Sequence, residues 1–304
     1  MTNELHQQQA ELAELMERHC HREGSQETAV PSLYFVRYSS MTEPDYGVYK
    51  PCFCVIANGS KQVLLAQERF VYNPADYLIA SLNLPVVGQV INASPDAPYL
   101  SFKLEFTHHQ IMDTLTEADI QLSSKEESKR ALFVGQIEAE LLDATLRLAR
   151  LLDSPKDIPF LAPMITREIL YRLLQGPHGA RLAQIALEGS STYRIRNAIE
   201  QITQHYDEPL RVDELAQIAN MSVSTFHRNF KEVTAMSPLQ FMKELRLQEA
   251  RRLLMSESAG AADVAFRVGY ESPSQFSREY ARMFGAPPIA DMKRLKEQYE
   301  PAQL

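Results

Sequence analysis

The stretch that decides the fold of the carboxyl-terminal part is VDELAQIANMSVSTFHRNFK, residues 212–231. Apolar residues recur at helical spacing on both sides of Asn220, and the second set contains Phe226 and Phe230. Asn tolerates a left-handed backbone, and Ser222 belongs to the residue types that cap helix amino termini. The pattern predicts a helix, a short turn and a second helix, which is the layout of a helix-turn-helix.

The same layout recurs about fifty residues later along the chain. The sequence ADVAFRVGYES, residues 262–272, predicts a short helix that ends at Gly269, and SQFSREYARMF, residues 274–284, predicts the helix that follows. Between the two units a longer apolar-periodic helix begins at Pro238. One helix-turn-helix pattern is a weak signal, whereas two in tandem with a connecting helix are a strong one.

This tandem pattern resembles the DNA-binding domain of AraC-type transcription regulators over about residues 193–292. Asn220 and Ala235 stand where that family usually has glycine, and Met292 stands where it often has arginine. The resemblance implies two helix-turn-helix units that bind DNA. It is carried by Asp213-Glu214-Leu215-Ala216, Ser222, Phe226, Arg228-Asn229-Phe230-Lys231, Ser237-Pro238, Arg246-Leu247-Gln248-Glu249-Ala250-Arg251, Val264-Ala265, Val268-Gly269-Tyr270, Phe276-Ser277-Arg278 and Phe284-Gly285.

The amino-terminal part has a different pattern, in which short runs rich in Val, Ile, Tyr and Phe are broken by Pro, Gly, Asn and Asp. This spacing predicts an antiparallel sandwich or barrel, and Asn58-Gly59 predicts a hairpin. The predicted strands are Leu33–Tyr38, Cys52–Ala57, Gln62–Leu65, Arg69–Tyr72, Tyr77–Ala80, Val86–Ile91 and Tyr99–Glu105. Helical periodicity predicts helices at residues 4–18, 108–117, 127–152, 159–174, 180–187 and 194–206.

This part resembles the amino-terminal domain of a subset of AraC-type regulators, whose sheet is cupin-like and is followed by helices. The resemblance is carried by residues that include Val30-Pro31-Ser32-Leu33, Tyr49-Lys50-Pro51, Val55-Ile56-Ala57-Asn58-Gly59-Ser60-Lys61, Tyr72-Asn73-Pro74, Leu84-Pro85-Val86 and Arg167-Glu168-Ile169-Leu170-Tyr171. In that family the domain senses a ligand and dimerises, and we expect helices 127–152 and 159–174 to provide the self-association surface.

We therefore predict two domains. Residues 1–190 are expected to form an α+β cupin-like β-barrel with helices, which senses and dimerises. Residues 191–304 are expected to form an all-α tandem helix-turn-helix joined by a linker helix.

The distribution of charge supports this division. The formal net charge is −8, but 15 basic and 15 acidic residues lie from Tyr193 onward, so the excess negative charge falls on the first domain. The neutral second domain must gather its basic residues on one face to bind phosphate. The longest uncharged run, residues 77–95, is interrupted by polar residues and proline, and the amino terminus lacks a signal-peptide pattern. We expect no membrane association and a cytoplasmic location, at the bacterial nucleoid when the protein is bound to DNA.

The candidate DNA contacts are the side chains on the exposed face of each predicted recognition helix. Arg228 and Arg278 suit either guanine or a phosphate, Gln275 suits adenine, and a merely solvated face is the alternative. For Arg251 and Arg252, phosphate contact and pairing with Glu249 or Glu257 stay open. The candidates are Ser224, Thr225, His227, Arg228, Ser274, Gln275, Ser277 and Arg278 for bases, with Lys231 and Arg282 for phosphates.

The first domain holds weaker candidate sites. Cys52 and Cys54 face the same way on a predicted strand and form either a thiol sensor of oxidants or electrophiles or, as we favour, small buried apolar residues. Adjacent His108 and His109 cannot share one ligand set on a helix, so we predict neither a metal nor another cofactor. A further set of inward-facing residues either lines a ligand pocket or fills the barrel. These residues are Phe53, Val55, Tyr77, Phe102 and Leu104.

The leading hypothesis is a sequence-specific transcription regulator, not an enzyme, that responds to a small-molecule effector bound by its first domain. Its expected partners are double-stranded promoter or operator DNA, the effector, a second copy of the chain and RNA polymerase. The alternative is a cupin-type isomerase or oxygenase with an accessory DNA-binding tail, which requires metal ligands or a nucleophile–base pair that the sequence does not show. A nonspecific architectural DNA protein is disfavoured by the acidic composition.

Overall fold

The computed structural model describes residues 3–120, 129–256 and 260–299. The chain forms two compact units. The first contains the chain up to Arg196 together with Arg228–Ala235, and the second contains Asn197–His227 and the chain from Met236 onward. Among the described residues, no helix combines the length and apolar character needed to span a membrane.

The strands of the first unit lie in two antiparallel sheets, so the predicted β-rich cupin-like class is confirmed, with the described strands in two sheets rather than one closed barrel. In spatial order the first sheet contains β1 (Gly24–Glu27), β2 (Leu33–Tyr38), β9 (Tyr99–Glu105), β4 (Cys52–Asn58), β7 (Asp76–Ala80) and β10 (Leu132–Gln136). The second contains β3 (Asp45–Tyr49), β8 (Leu84–Asn92), β5 (Ser60–Leu65) and β6 (Glu68–Tyr72).

The turn at Asn58-Gly59 connects the two sheets and is not a hairpin, so that prediction is wrong. β4 pairs with β7 and β9, whereas β5 pairs with β6 and β8. Gly59 has φ +86°, and a Cβ there would overlap the carbonyl oxygen of Asn92. The Asn-Gly signal identified the tight turn correctly, but it carries no information about which strands then pair.

Helices flank the sheets. Thr107 caps α2 through a capping box with Gln110, whose backbone N–H donates to Thr107 Oγ1 at 3.2 Å. Helix α4 (Ile158–Gln175) ends before Gly176, close to the predicted end at residue 174. The helices of this part are α1 (Asn3–His19), α2 (His108–Glu117), α3 (Ala139–Arg150), α4 (Ile158–Gln175), α5 (Gly179–Ala183) and α6 (Ser191–Gln204).

The long helix predicted at residues 127–152 is wrong in its first half, where the structure has β10; residues 127 and 128 lie outside the described residues. β10 pairs antiparallel with β7, and Gly135 lies opposite Tyr77. The ring of Tyr77 occupies the place where a Cβ of residue 135 would be. The pairing with a strand more than fifty residues earlier overrides the local helical pattern. β1 and β3 were not predicted as strands: β1 has the polar sequence GSQE, and β3 has the short sequence DYGVY.

The helices after α6 form the predicted tandem helix-turn-helix, with α9 as the linker helix. Asn220 (φ 49°) and Gly269 (φ 84°) form the left-handed turns inside the two motifs. Ala235 (φ 64°) and Gly285 (φ 80°) follow the second helix of each motif. The two motifs therefore repeat the same backbone pattern, including at the two positions where this chain lacks glycine. These helices are α7 (Val212–Ile218), α8 (Val223–Thr234), α9 (Pro238–Ser256), α10 (Ala261–Arg267), α11 (Pro273–Phe284) and α12 (Pro288–Tyr299).

Candidate nucleic-acid interface and ligand cavity

Helix α8 is the second helix of the first motif, and its outward face is polar. Ser222 Oγ accepts a hydrogen bond from the backbone N–H of Thr225 at 3.3 Å and so caps the helix, as predicted. Phe226 and Phe230 are fully buried. Among the predicted contacts, Ser224, His227, Arg228 and Lys231 are exposed and Thr225 is half-buried.

Helix α11 repeats this arrangement in the second motif. Ser272 Oγ accepts from the backbone N–H of Gln275 at 3.4 Å, and Pro273 takes the first helical position. Phe276 and Tyr280 are buried. Among the predicted contacts, Ser274, Gln275, Arg278 and Arg282 are exposed and Ser277 is half-buried.

The two candidate base-reading arginines occupy equivalent positions in the two motifs. Within the described residues, neither Arg228 nor Arg278 makes a hydrogen bond or an ion pair. Each is the sixth residue of its helix. Near them, Gln275 Nε2 donates to Glu279 at 3.4 Å, and the Lys231 carbonyl accepts from Arg130 at 2.7 Å while the Lys231 side chain stays exposed. Both guanidinium groups are therefore available to an external partner.

Arg246 of α9 holds the surrounding backbone together, a role that the sequence did not indicate. Its guanidinium donates to the carbonyls of Tyr206 at 2.6 Å, Glu208 at 2.7 Å and Gly269 at 2.8 Å. Burial lowers the pKa of Arg246. Three charge-assisted bonds to carbonyls connect the linker helix to the turn of the second motif and to the loop before α7.

Arg251 does not face a phosphate. It lies buried and donates to Asp291 through Nε at 2.9 Å and Nη2 at 3.2 Å, so its intramolecular partner is Asp291 rather than the predicted Glu249, and its guanidinium is not on the surface. Arg252 does pair with Glu249, at 2.6 Å, which was the intramolecular alternative. Glu257 lies outside the described residues. Asp291 lies forty residues after Arg251, beyond the range of a helical-spacing argument.

The first unit contains a cavity of about 140 Å³ between its strands. Its lining includes Tyr49, Cys54, Lys61, Tyr72, Tyr99 and Lys103. The predicted pocket residues do not line this cavity, although Tyr77 lines a second cavity of about 630 Å³. Phe53, Val55, Phe102 and Leu104 are fully buried, and Tyr77 is 3% exposed with its ring 5.8 Å from that of Phe53.

Strand alternation explains this difference. Cys54 pairs with Lys103 across β4 and β9, whereas Val55 pairs with Phe102 and so faces the other side of the sheet. The cavity is therefore lined by the more polar face of these strands. The presence of Lys103 on that face was the sequence signal that pointed to it, but apolar character directed the prediction to the core face.

Cys52 and Cys54 are both buried, and their sulfur atoms lie 3.8 Å apart. A hydrogen bond with Cys54 and burial raise the pKa of Cys52. A hydrogen bond with Cys52 outweighs burial and, with Lys103 and Lys61, lowers the pKa of Cys54. Only Cys54 lines the cavity, so the thiol-sensor hypothesis now concerns Cys54 and stays a prediction. Across the described ranges, no group of three or more His, Cys, Asp or Glu residues could hold a metal ion.

Two family models match the chain. Residues 29–181 match the AraC-type transcriptional regulator N-terminus, which is just over half of the chain, and residues 215–294 match a helix-turn-helix domain. The two matched ranges lie in the parts of the sequence that carried the two resemblances.

Known proteins agree with these matches. The HTH-type transcriptional activator RhaS of Escherichia coli (strain SE11) is 29% identical over 136 residues, covering 45% of this chain and 48% of RhaS, so the chain spans about half the length of the curated relatives it matches. Apo ToxT from Vibrio cholerae strain SCE256 superposes with a TM-score of 0.55 at 9% identity, covering 90% of this chain and 99% of ToxT. ToxT from Vibrio cholerae O395, bound to (E)-4-(8-methylnaphthalen-1-yl)but-3-enoic acid, superposes with a TM-score of 0.57 at 10% identity, covering 87% of this chain and 99% of ToxT. The ToxT structures show that the fold is shared.

Proposed function

This chain belongs to the AraC-type transcriptional regulators, and from that premise we propose that it binds specific promoter or operator DNA through α8 and α11. The observation that carries the proposal is the matched pair Arg228 and Arg278, each exposed, each free of partners within the described residues, and each at the sixth position of its helix. The enzyme alternative is set aside, because the matched family consists of regulators.

Each helix would present its amino-terminal half to the major groove. Arg228 and Arg278 would bind guanine O6 and N7, and Gln275 would bind adenine. The remaining candidates divide by chemistry: the short polar side chains Ser224, Thr225, His227, Ser274 and Ser277 would contact base edges, and Lys231 and Arg282 would contact phosphates. A double motif binds successive major grooves, roughly 34 Å apart.

Replacing Arg278 with alanine should weaken binding to a specific site by about 1–3 kcal/mol and relax base preference at one position. A duplex selected from a random pool by the unmodified protein supplies the site, and gel-shift titration at fixed salt measures affinity. Arg252→Ala is the matched control, because Arg252 is also exposed but pairs with Glu249 on the linker helix. Equal affinities of Arg278→Ala and unmodified protein would remove Arg278 from the interface.

We further propose that the cavity of the first unit binds a small-molecule effector. A ligand changes DNA occupancy only if it has different affinities for two arrangements of the protein. The curated relatives are named transcriptional activators, which supports RNA polymerase as a further proposed partner. We also propose that the protein acts in the cytoplasm, at the nucleoid when bound to DNA. Transcription in vitro from a selected promoter, with and without effector, tests both activation and ligand response.

The proposed homodimer uses the outward face of α4. Phe160 is 74% exposed, Met164 57% and Tyr171 41%, and their spacing places them on one side of the helix. Exposed apolar residues that form one patch indicate a protein-binding surface. Of the two helices within the segments predicted for self-association, α4 is therefore better suited to form the dimer interface than α3, whose apolar residues are mostly buried.

The double change Phe160→Glu and Met164→Glu should convert a dimer into a monomer, because four carboxylates would meet across a symmetric interface. Sedimentation velocity over a concentration series measures the mass. Met41→Glu is the control, since Met41 is 66% exposed in the same unit but belongs to the segment between β2 and β3 rather than to α4. A mass of two chains for the double variant would exclude this face as the dimer interface.

A further inference from the structure

Lys61 lines the cavity and carries its ammonium group beside the ring of Tyr49. Its ammonium lies 5.6 Å from the centre of the Tyr49 ring and makes no hydrogen bond or ion pair with the described part of the chain. Gly88 on the neighbouring strand β8 leaves room for it, because a Cβ there would lie 3.0 Å from Lys61 Cε and 3.3 Å from Nζ. A half-enclosed ammonium with unused hydrogen-bond donors favours a negatively charged ligand.

The other charged side chains that line the cavity form no ion pair with Lys61 within the described residues. Lys103 Nζ donates to Glu105 at 2.8 Å. Asp45 also lines the cavity, but it forms no ion pair with Lys61 within the described residues. Burial alone would lower the pKa of Lys61, yet ionisable neighbours, among them the Asp45 carboxylate, outweigh it, so the pKa is raised. The amine is therefore protonated at neutral pH, which favours ion pairing over imine formation with a carbonyl compound.

Neutral hydroxyl groups surround this cation. Burial raises the pKa of Tyr99 to about 12 and raises the pKa values of Tyr49 and Tyr72 well above the ordinary range. All three phenols therefore keep their protons. Tyr72 and Tyr99 already hydrogen-bond to each other, so the Tyr49 hydroxyl is the one best placed to donate to an oxygen atom of a ligand. Their presence, with Ser101 also in the lining, makes the cavity suitable for a hydrophilic molecule rather than a hydrocarbon chain.

The volume limits the size of the ligand. The cavity measures about 140 Å³, which is close to the roughly 150 Å³ of a cavity that accepts benzene. A long acyl chain or a nucleotide exceeds this space. We propose that the cavity binds a small hydrophilic monocarboxylate, no larger than a hydroxylated benzoate, whose carboxylate pairs with Lys61 and whose other oxygens bond to the cavity tyrosines. This inference rests on the proposed effector role of the same cavity and names the chemical class of the effector.

The test uses the full chain and three acids, lactate, benzoate and 4-hydroxybenzoate, each compared with its primary amide. Isothermal titration should detect at least one acid, and its amide should bind at least about tenfold more weakly, because the amide lacks the charge-assisted bond. Lys61→Met should weaken the binding of that acid by a similar factor. Lys50→Met is the matched control, because Lys50 is exposed and does not line the cavity, and it should bind the acid unchanged.

Gly88→Ala is a second variant that keeps Lys61 but crowds its ammonium group, and it should also weaken the binding of the acid. Failure of all three acids to bind, equal binding of acid and amide, or unchanged binding to Lys61→Met would each overturn the proposal. Gel shifts on the selected duplex separate this result from the proposed function. If an acid binds but leaves DNA affinity unchanged, the carboxylate site is supported and the effector role is contradicted. If the unliganded Lys61→Met protein loses DNA binding, that variant is misfolded, and Gly88→Ala then decides the test.

Discussion

Replacing Asp291 with alanine is expected to lower the free energy of unfolding of the second unit by about 3–5 kcal/mol, the usual cost of breaking a buried ion pair. Asp291 of α12 is fully buried. It accepts hydrogen bonds from Arg251 of α9 at 2.9 and 3.2 Å and from the hydroxyl of Tyr280 of α11 at 2.9 Å. Truncation would remove the carboxylate with which the buried guanidinium of Arg251 forms its ion pair. Amide hydrogen exchange of the full chain measures this unit separately, through the protection of α9 and α12.

Arg294→Ala is the control for this change. Arg294 bonds to the same carboxylate at 3.0 Å, but its side chain is 43% exposed, so its removal should cost less than about 1 kcal/mol. Comparable losses in Arg294→Ala and Asp291→Ala would show that burial does not determine the cost.

The Asp291 pair also predicts a pH dependence. Burial alone would raise the pKa of Asp291, but hydrogen bonds from Arg251 and Arg294 outweigh it and hold the pKa below its ordinary value. A carboxyl group whose pKa is lowered in the folded state makes its full contribution to stability above its unfolded-state pKa, about 4. It loses this contribution as the pH falls through its folded-state pKa. The stability difference between unmodified protein and Asp291→Ala should therefore be constant at neutral pH and shrink below about pH 4.

Local patterns were sufficient to predict the helical unit. The sequence predicts Ser222 as a cap and Asn220 as a left-handed turn, because each of these features depends on residues within one or two helical turns. Residue 135 shows the limit of such patterns. The strand around it forms because it pairs with β7, and no local periodicity records a partner that far away in the chain.

The same distinction applies to the candidate sites. Helical spacing placed Arg228 and Arg278 on exposed faces, where the structure has them. It could not show that Arg251 meets Asp291, or that Arg246 bonds three separate carbonyls. The Lys61 ammonium, which lines the cavity and makes no ion pair within the described residues, was also missed, because this arrangement follows from what surrounds the side chain in three dimensions.

The substitution Gly269→Ala is expected to lower the free energy of unfolding of the second unit by about 2–5 kcal/mol. A left-handed alanine costs roughly 1–2 kcal/mol, and φ at Gly269 is +84°. A Cβ would also overlap the carbonyl of Asp207 and lie 2.7 Å from Nη2 of Arg246. Relieving such overpacking costs about 1–3 kcal/mol more, and it would disturb the bonds by which Arg246 holds the turn of the second motif.

Gly285 separates these two causes, because it has nearly the same φ, +80°, but nothing lies within 4 Å of a Cβ built there. Gly285→Ala should therefore show the backbone cost alone, about 1–2 kcal/mol. Hydrogen exchange of α10 and α11 amides in the full chain gives both values, and gel shifts on the selected duplex should show a larger affinity loss for Gly269→Ala. Equal losses of stability and affinity in the two variants would mean that the contact with Asp207 and Arg246 does not fix the second motif, and that left-handed geometry alone explains why glycine occupies residue 269.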